Sequence, residues 1–90
     1  MSQNIISNNA AMQEYFNKVF YFAQDNITEV ARIAADLRPE MDEEIQNFVW
    51  KYHTKMDALI GEEMTLAELE NRINNIIREF GEGLDELLGT

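Results

Sequence analysis

The sequence contains no cysteine, a single proline and only four glycines among its 90 residues. Without cysteine, the chain forms no disulfide bonds and no thiolate metal site. With so little proline and glycine, few positions interrupt a helix. No apolar run approaches the roughly 18 residues that a membrane span needs, and the N-terminus lacks the basic and apolar segments of a signal peptide. We therefore expect a cytoplasmic protein that does not bind a membrane.

Positive charge is also scarce. Seven lysines and arginines stand against 17 acidic residues, which gives a formal net charge of −10. Phosphate groups of nucleic acids repel such a chain, whereas a basic protein surface attracts it. The same charge also serves solubility. We expect no direct binding of nucleic acid, and we expect a protein partner with a basic surface.

Apolar residues make up 46% of the chain, too large a share for a disordered segment. They recur three and four residues apart, as in helices. This spacing predicts three helices, at about residues 9–38, 39–60 and 65–88. Because the connections are short, the predicted fold is all-α, with three antiparallel helices in an up-down-up bundle or an open helical hairpin completed by oligomerisation. Residues 1–90 are expected to form one domain with a flexible N-terminus over residues 1–8.

Local signals set the predicted helix boundaries. The apolar phase continues through residues 23–29, so the first helix is predicted to be unbroken there. Pro39 favours a helix start, and Gly61 favours a stop. Thr65 and Glu68 have the spacing of a capping box, which predicts the start of the third helix.

Phase also assigns the faces of the first helix. At 100° per residue, its predicted core stripe lies within about 80° of one direction. Phe20 falls at the edge of this stripe, and Tyr21 falls opposite to it. The stripe consists of eleven apolar residues: Met12, Tyr15, Phe16, Val19, Phe22, Ala23, Ile27, Val30, Ile33, Ala34 and Leu37.

Trp50 falls on the second helix, opposite to the apolar stripe of that helix. Together with Tyr21, it suggests a second buried surface, because aromatic residues are enriched at interface cores. Either the third helix or another subunit is expected to cover Trp50. His53 and Ile60 are predicted to lie beside it. The predicted interface therefore consists of Trp50, Tyr21, His53 and Ile60.

Five acidic residues flank the second helix: Glu40, Glu43, Glu44, Glu62 and Glu63. We expect them to steer association towards a basic partner. Carboxylates spaced along helices can also imitate a row of phosphates. An alternative prediction is therefore a DNA mimic that inhibits a nucleic-acid-binding protein.

His53 is the only histidine and precedes Asp57 by four residues. On a helix this spacing permits a hydrogen bond between the two side chains. Such a pair can orient a general base, but no nucleophile is predicted nearby. We therefore interpret it as an ordinary structural pair.

Pairs of acidic residues three apart raise a second alternative, a magnesium-dependent helical nucleotide pyrophosphohydrolase. Enzymes of that class use Glu-x-x-Glu and Glu-x-x-Asp motifs to hold the metal. Glu40 and Glu43 fit half of the pattern, and Glu79, Glu82 and Asp85 have spacings that fit the remainder. Such pairs also arise by chance in an acidic chain, so this alternative ranks below an interaction protein.

The sequence thus predicts a small acidic, non-enzymatic helical protein that acts through protein–protein contact as an inhibitor, adaptor or regulator. It is expected to self-associate as a homodimer or a higher oligomer. No catalytic residue, metal site or cofactor is predicted. Small acidic helical proteins of this kind are common in phages and mobile elements, but no motif here identifies a family.

Overall fold

The computed structural model of the protein describes residues 9–89, so the predicted flexible segment 1–8 lies outside the described residues. Three α-helices confirm the predicted all-α fold class. Their bounds are α1 Ala10–Leu37, α2 Asp42–Asp57 and α3 Leu66–Leu88, with a short 3-10 turn at Pro39–Met41. None of these helices combines the length and apolarity that a membrane crossing requires.

Helix α1 begins at an asparagine cap. The side-chain Oδ1 of Asn9 accepts hydrogen bonds from the backbone N–H groups of Ala11, at 2.8 Å, and Met12, at 3.2 Å. These bonds satisfy two amides that the first helical turn leaves without partners. The helix then continues unbroken through residues 23–29. It ends before Pro39, whose ring disfavours helical geometry at the preceding residue.

Helix α2 is shorter than the predicted span of 39–60. Pro39 opens a 3-10 turn, and the α-helix starts only at Asp42. At the other end α2 stops at Asp57, and the chain turns through Gly61, whose φ of 87° is in the left-handed region. Ile60 therefore lies in the turn and not on the helix, which corrects its predicted position.

Helix α3 begins at the predicted capping box. The hydroxyl of Thr65 accepts the backbone N–H of Glu68 at 3.2 Å, and the Glu68 carboxylate accepts the backbone N–H of Thr65 at 3.0 Å. This backbone hydrogen bond lowers the pKa of Glu68 because it stabilises the ionised carboxylate. The start of α3 is thus fixed by two reciprocal bonds.

Each of the three helices contacts the other two, and the Tyr15 hydroxyl of α1 donates to the Glu70 carboxylate of α3 at 3.3 Å. Between α1 and α2, Gln24 donates to Asp57 at 3.2 Å, and Thr28 lies 3.3 Å from the His53 ring. Residue numbers therefore rise along α1 as they fall along α2.

Between α2 and α3, Lys55 donates to Glu79 at 3.2 Å, while further along Phe48 packs near Gly83.

The core is wholly apolar, since no polar or charged residue is buried among residues 9–89. On α1, the predicted core stripe is correct only in part: Ala23, Ile27 and Ala34 are buried as predicted, but the buried face is displaced from the centre of the stripe. Phe20 and Ala31 are buried, whereas Phe22 and Leu37 are 73% and 75% exposed. The physical reason is that α2 packs on the side of α1 that carries Thr28, which turns the other edge of the stripe outward.

Candidate functional site

Trp50 is exposed on the surface of α2, with 71% of its area accessible. Helix α3 packs against the other side of α2, where the rings of Phe48 and Tyr52 lie 5.7 and 5.5 Å from that of Phe80. The third helix therefore does not cover Trp50. Trp50 was predicted to be covered either by the third helix or by another subunit, and only the second of these is compatible with the structure.

Trp50 borders a groove of about 400 Å³ between α1 and α2. The buried side chains of Ala31 and Val49 lie at its base, and charged side chains line its edges. The groove thus combines an exposed aromatic surface, an apolar base and a polar rim. Its lining residues are Thr28, Ala31, Arg32, Ala35, Asp36, Asp42, Gln46, Val49, Trp50 and His53.

The charges on the α1 edge of this groove are held in place by Arg32. Its guanidinium contacts Glu29 at 2.6 Å and Asp36 at 3.1 Å. The hydrogen bond from Arg32 lowers the pKa of Glu29, and the same contact raises the pKa of Arg32. Among the residues that line the groove, the carboxylates of Asp36 and Asp42 against the single guanidinium of Arg32 leave one net negative charge. The groove is therefore acidic.

His53 lines the same groove but serves the contact between α1 and α2. Its Nδ1 contacts the side-chain oxygen of Gln24, and its Nε2 lies 3.3 Å from the hydroxyl of Thr28. A neutral ring with its proton on Nδ1 satisfies both partners. The side chain of Gln24 then donates to Asp57. Gln24 thus stands between His53 and Asp57, and the directly bonded pair that their spacing predicts is not formed.

The other two predicted interface residues lie away from the groove. The side chain of Tyr21 is 63% exposed and touches the Phe20 ring edge-on, at a centroid distance of 5.6 Å. Tyr21 precedes Thr28, the first groove residue on α1, by seven residues, or about 10 Å along the helix. Ile60 is exposed in the turn beyond α2. The structure therefore brings Trp50 and His53 together but separates Tyr21 and Ile60 from them.

The five predicted steering residues are all exposed and fall into two groups at opposite ends of α2. Glu40, Glu43 and Glu44 surround the start of the helix, next to the Asp42 edge of the groove. Glu62 and Glu63 follow the turn at the far end, about 24 Å away along the helix. None of the five lines the Trp50 groove, and Glu44 lines a separate groove with Phe48 and Leu87.

Glu62 contacts Arg72 at 2.6 Å, and other surface carboxylates are also ion-paired. On α1, Glu14 contacts Lys18 at 3.2 Å. On α3, Glu79 contacts Lys55 at the same distance. Cations thus interrupt the acidic surface on both helices, whereas a phosphate-like row requires a regular series of negative charges. The DNA-mimic alternative gains no specific support from this arrangement.

The magnesium alternative requires several carboxylates at one place. In the part of the chain that the structure describes, no three acidic or histidine side chains come close enough to hold a metal ion. Glu79, one member of the proposed motifs, is instead bonded to Lys55. The described geometry therefore gives the pyrophosphohydrolase alternative no support.

Sequence reasoning missed a second exposed apolar surface, which follows the outer side of α1. We call it the α1 seam. Four of its six apolar members are exposed, and the other two, Val19 and Val30, are half-buried. Its one polar member, Asn26, is also exposed. The available signal was the width of the α1 stripe, since it was broader than two neighbouring helices cover. The α1 seam consists of Tyr15, Val19, Phe22, Asn26, Val30, Ile33 and Leu37.

No known protein family, curated protein or solved structure matches the chain. Functional interpretation therefore depends on the chemistry of the two exposed surfaces. The Trp50 groove is acidic and contains a single large aromatic side chain, whereas the α1 seam is almost entirely apolar. Surfaces so different in chemistry favour different partners.

Proposed function

We propose that the protein is a non-enzymatic interaction protein that binds a basic segment of another protein in the Trp50 groove. In this role it acts as an inhibitor, adaptor or regulator of that partner. The observation that carries the proposal is the exposure of Trp50 beside Asp36 and Asp42 at one groove. A tryptophan in a packed, desolvated pocket is among the residues that contribute most to binding.

The chemistry of the groove favours a lysine or arginine side chain as the inserted group. A cation over the face of a tryptophan gains about 0.5–2 kcal/mol, depending on its desolvation. Arginine also stacks on aromatic rings and binds carboxylates with two parallel hydrogen bonds. Asp42 offers such a carboxylate in the same groove as Trp50, whereas Asp36 is already ion-paired with Arg32. An arginine-containing segment therefore satisfies both features of the groove.

Long-range charge supports the same partner. The net charge of −10 attracts a basic surface before contact and raises the association rate at low salt. Glu40, Glu43 and Glu44 add negative charge at the start of α2, which is the end of the helix that carries Asp42. Salt screens the attraction. Binding of the partner is thus expected to weaken as the salt concentration rises.

A fluorescence titration tests the proposal directly, because Trp50 is the only tryptophan in the chain. The probe is a short peptide with two arginines, and the matched neutral probe replaces both by citrulline. We expect the arginine peptide to change the Trp50 emission and to bind more tightly than the citrulline peptide. Equal binding of the two peptides, or no change in emission with either, contradicts the proposal.

Variants then separate the groove from general acidity. Calorimetry of the arginine peptide with Trp50→Ala is expected to show affinity lowered by about 2- to 30-fold. Tyr21→Ala is the matched control, because it removes an exposed aromatic side chain that lies outside the groove, about 10 Å along α1 from its first residue. Equal losses in the two variants contradict a specific role for Trp50.

A further inference from the structure

We propose that the α1 seam is the contact surface of a homodimer, in which α1 of one copy packs antiparallel to α1 of a second copy. This inference concerns a surface separate from the Trp50 groove and does not depend on the proposed partner. It rests on the spacing of the seam residues, their exposure and the groove beside them. The proposed partner at the α1 seam is a second copy of this chain.

The spacing of the seam is the same in both directions along the helix. From Tyr15 to Leu37, successive members are separated by four, three, four, four, three and four residues. The pattern is therefore symmetric about Asn26. In a two-fold contact each copy presents the same patch to the other in the reverse direction, so this spacing lets every seam position meet another seam position of the second copy.

The symmetry places complementary side chains opposite each other when the two-fold axis passes beside Asn26. Tyr15 then lies opposite Leu37 of the second copy, and the reverse pair forms at the other end. In the same way Phe22 lies opposite Val30 of the second copy. All seven members lie within about 80° of the helix circumference, so one partner helix covers them.

Asn26 meets Asn26 of the second copy at the axis. A single polar residue in an otherwise apolar helix contact fixes the register, because other alignments leave its amide without a partner. The two amides have donors and acceptors that satisfy each other across the axis. Asn26 is exposed in the single chain. Its position at the centre of the seam is thus explained by the pairing.

The apolar area suits a dimer of modest affinity. At about 150–250 Å² for a large aromatic side chain, the exposed parts of Tyr15, Phe22, Ile33 and Leu37 amount to roughly 400 Å² in each copy. The pair thus buries about 800 Å² from these residues, and the half-buried members add to it. Stable interfaces bury about 1,200–2,000 Å² in total. We therefore expect reversible association.

Helix α3 adds a recess beside the seam. A groove of about 300 Å³ lies between α1 and α3, with Phe22 and Asn26 on one side and Asn74 and Ile77 on the other. The antiparallel pairing brings Val30 of the second copy level with this groove. Its apolar side chain then contacts α3 as well as α1, which enlarges the interface beyond a pair of helices.

Sedimentation equilibrium of the whole chain with two variants tests the proposal. Phe22→Arg places a charge in the seam, and its expected effect is to raise the dimer dissociation constant at least tenfold. Tyr21→Arg makes the same change at the neighbouring exposed aromatic and is expected to leave the constant unchanged. A monomeric wild type, or a dimer that both variants retain or both lose, overturns the proposal.

Circular dichroism is expected to show that both variants remain folded, since Phe22 and Tyr21 are exposed in the single chain. The arginine-peptide titration on Phe22→Arg separates this inference from the proposed function. Peptide binding that persists in a monomeric Phe22→Arg variant shows that the two surfaces are independent. If the peptide binds neither the wild type nor the variant, the proposed function of the Trp50 groove is contradicted and the dimer proposal is unaffected.

Cysteine cross-linking tests the position of the axis, because the natural chain contains no cysteine. Asn26→Cys is expected to form a disulfide dimer under mild oxidation. Asn17→Cys, an equally exposed position of the same residue type on α1, is the matched control and is expected to remain mostly reduced. Equal cross-linking of the two variants overturns the assignment of the axis.

A mixture of Val19→Cys and Ile33→Cys tests the direction of the helices. In the antiparallel pair, position 19 of one copy lies opposite position 33 of the other, within the distance that a disulfide spans. We expect the mixture to cross-link and each variant alone to do so far less. Cross-linking of each variant with itself indicates parallel helices and overturns the antiparallel pairing.

Discussion

The contact between α2 and α3 and the outer side of α1 contain similar residues but differ in their surroundings. At the first, the rings of Phe48 and Tyr52 pack on Phe80, which is only 2% exposed. At the second, Phe22 lies on a long amphipathic helix and is 73% exposed. Three helices therefore close one apolar contact and leave another open. An apolar stripe identifies what a helix can bury, and its neighbours decide what it does bury.

The largest expected change in stability comes from replacing one phenylalanine in each of the two regions. Phe80→Ala is expected to destabilise the fold by about 3–5 kcal/mol, because it leaves a cavity among packed rings. Phe22→Ala is expected to change the stability of the monomer by less than about 0.5 kcal/mol. Urea unfolding at low protein concentration measures both free energies. Similar losses for the two variants contradict the assignment of Phe22 to the surface.

Two glycines on α3 provide the next test, because they differ only in what lies beside them. A Cβ atom at Gly83 would lie 2.7 Å from the Cζ atom of Phe48, whereas Gly81 has nothing within 4 Å. Gly81→Ala is expected to stabilise the helix by up to about 1 kcal/mol. Gly83→Ala has the same helical benefit but forces the Phe48 ring to move, at about 1–3 kcal/mol.

Thermal unfolding measures the effects of both glycine variants. We expect the melting temperature to rise for Gly81→Ala and to fall for Gly83→Ala. A rise in both cases indicates that the contact between α2 and α3 is loose enough to absorb a methyl group. The contrast between a closed contact and an open α1 surface then loses its basis.

Sequence reasoning succeeded where a local signal determines the structure. The Thr65 and Glu68 capping box predicted the start of α3, and the unbroken phase predicted that α1 continues through residues 23–29. It failed where the answer depends on packing. Phe20 and Phe22 are both apolar and lie on α1, and only the side on which α2 packs makes Phe20 the buried one.

The candidate site was predictable in part for the same reason. The phase of α2 predicted that Trp50 points away from the core, and the structure shows it exposed. Helix phase carries no information on the distance between helices or along them. It therefore grouped Tyr21 and Ile60 with Trp50, although Tyr21 lies about 10 Å along α1 from the groove and Ile60 lies in a turn. The symmetry of the α1 seam became visible only when its residues proved exposed.

The smallest expected effects concern the start of α3, where the capping box anchors the helix that closes against α2. Thr65→Ala removes the cap and is expected to cost about 1 kcal/mol. Glu68→Gln tests the charge of the same motif. The hydrogen bond from the Thr65 backbone lowers the pKa of Glu68 in the folded chain. The ionised Glu68 carboxylate therefore adds to the free energy of unfolding above the usual carboxyl pKa of 4.5. This contribution is lost as the pH falls through the lower pKa of the folded state.

Urea unfolding at pH 7 and in the acid range measures the difference in unfolding free energy between the wild type and Glu68→Gln. We expect the wild type to exceed Glu68→Gln in stability at pH 7 and the gap to narrow on acidification. A gap that is constant with pH contradicts the pKa shift. Glu82→Gln is the matched control, since it neutralises an exposed carboxylate on α3 outside the capping box.

Sedimentation equilibrium of the wild-type chain at low and high salt tests the central claim most directly. Apolar contact through the α1 seam must overcome repulsion between two chains of net charge −10. Because salt screens this repulsion, the account predicts a reversible dimer that becomes tighter as the salt concentration rises. A chain that stays monomeric at both salt concentrations, or a dimer that dissociates in high salt, contradicts it.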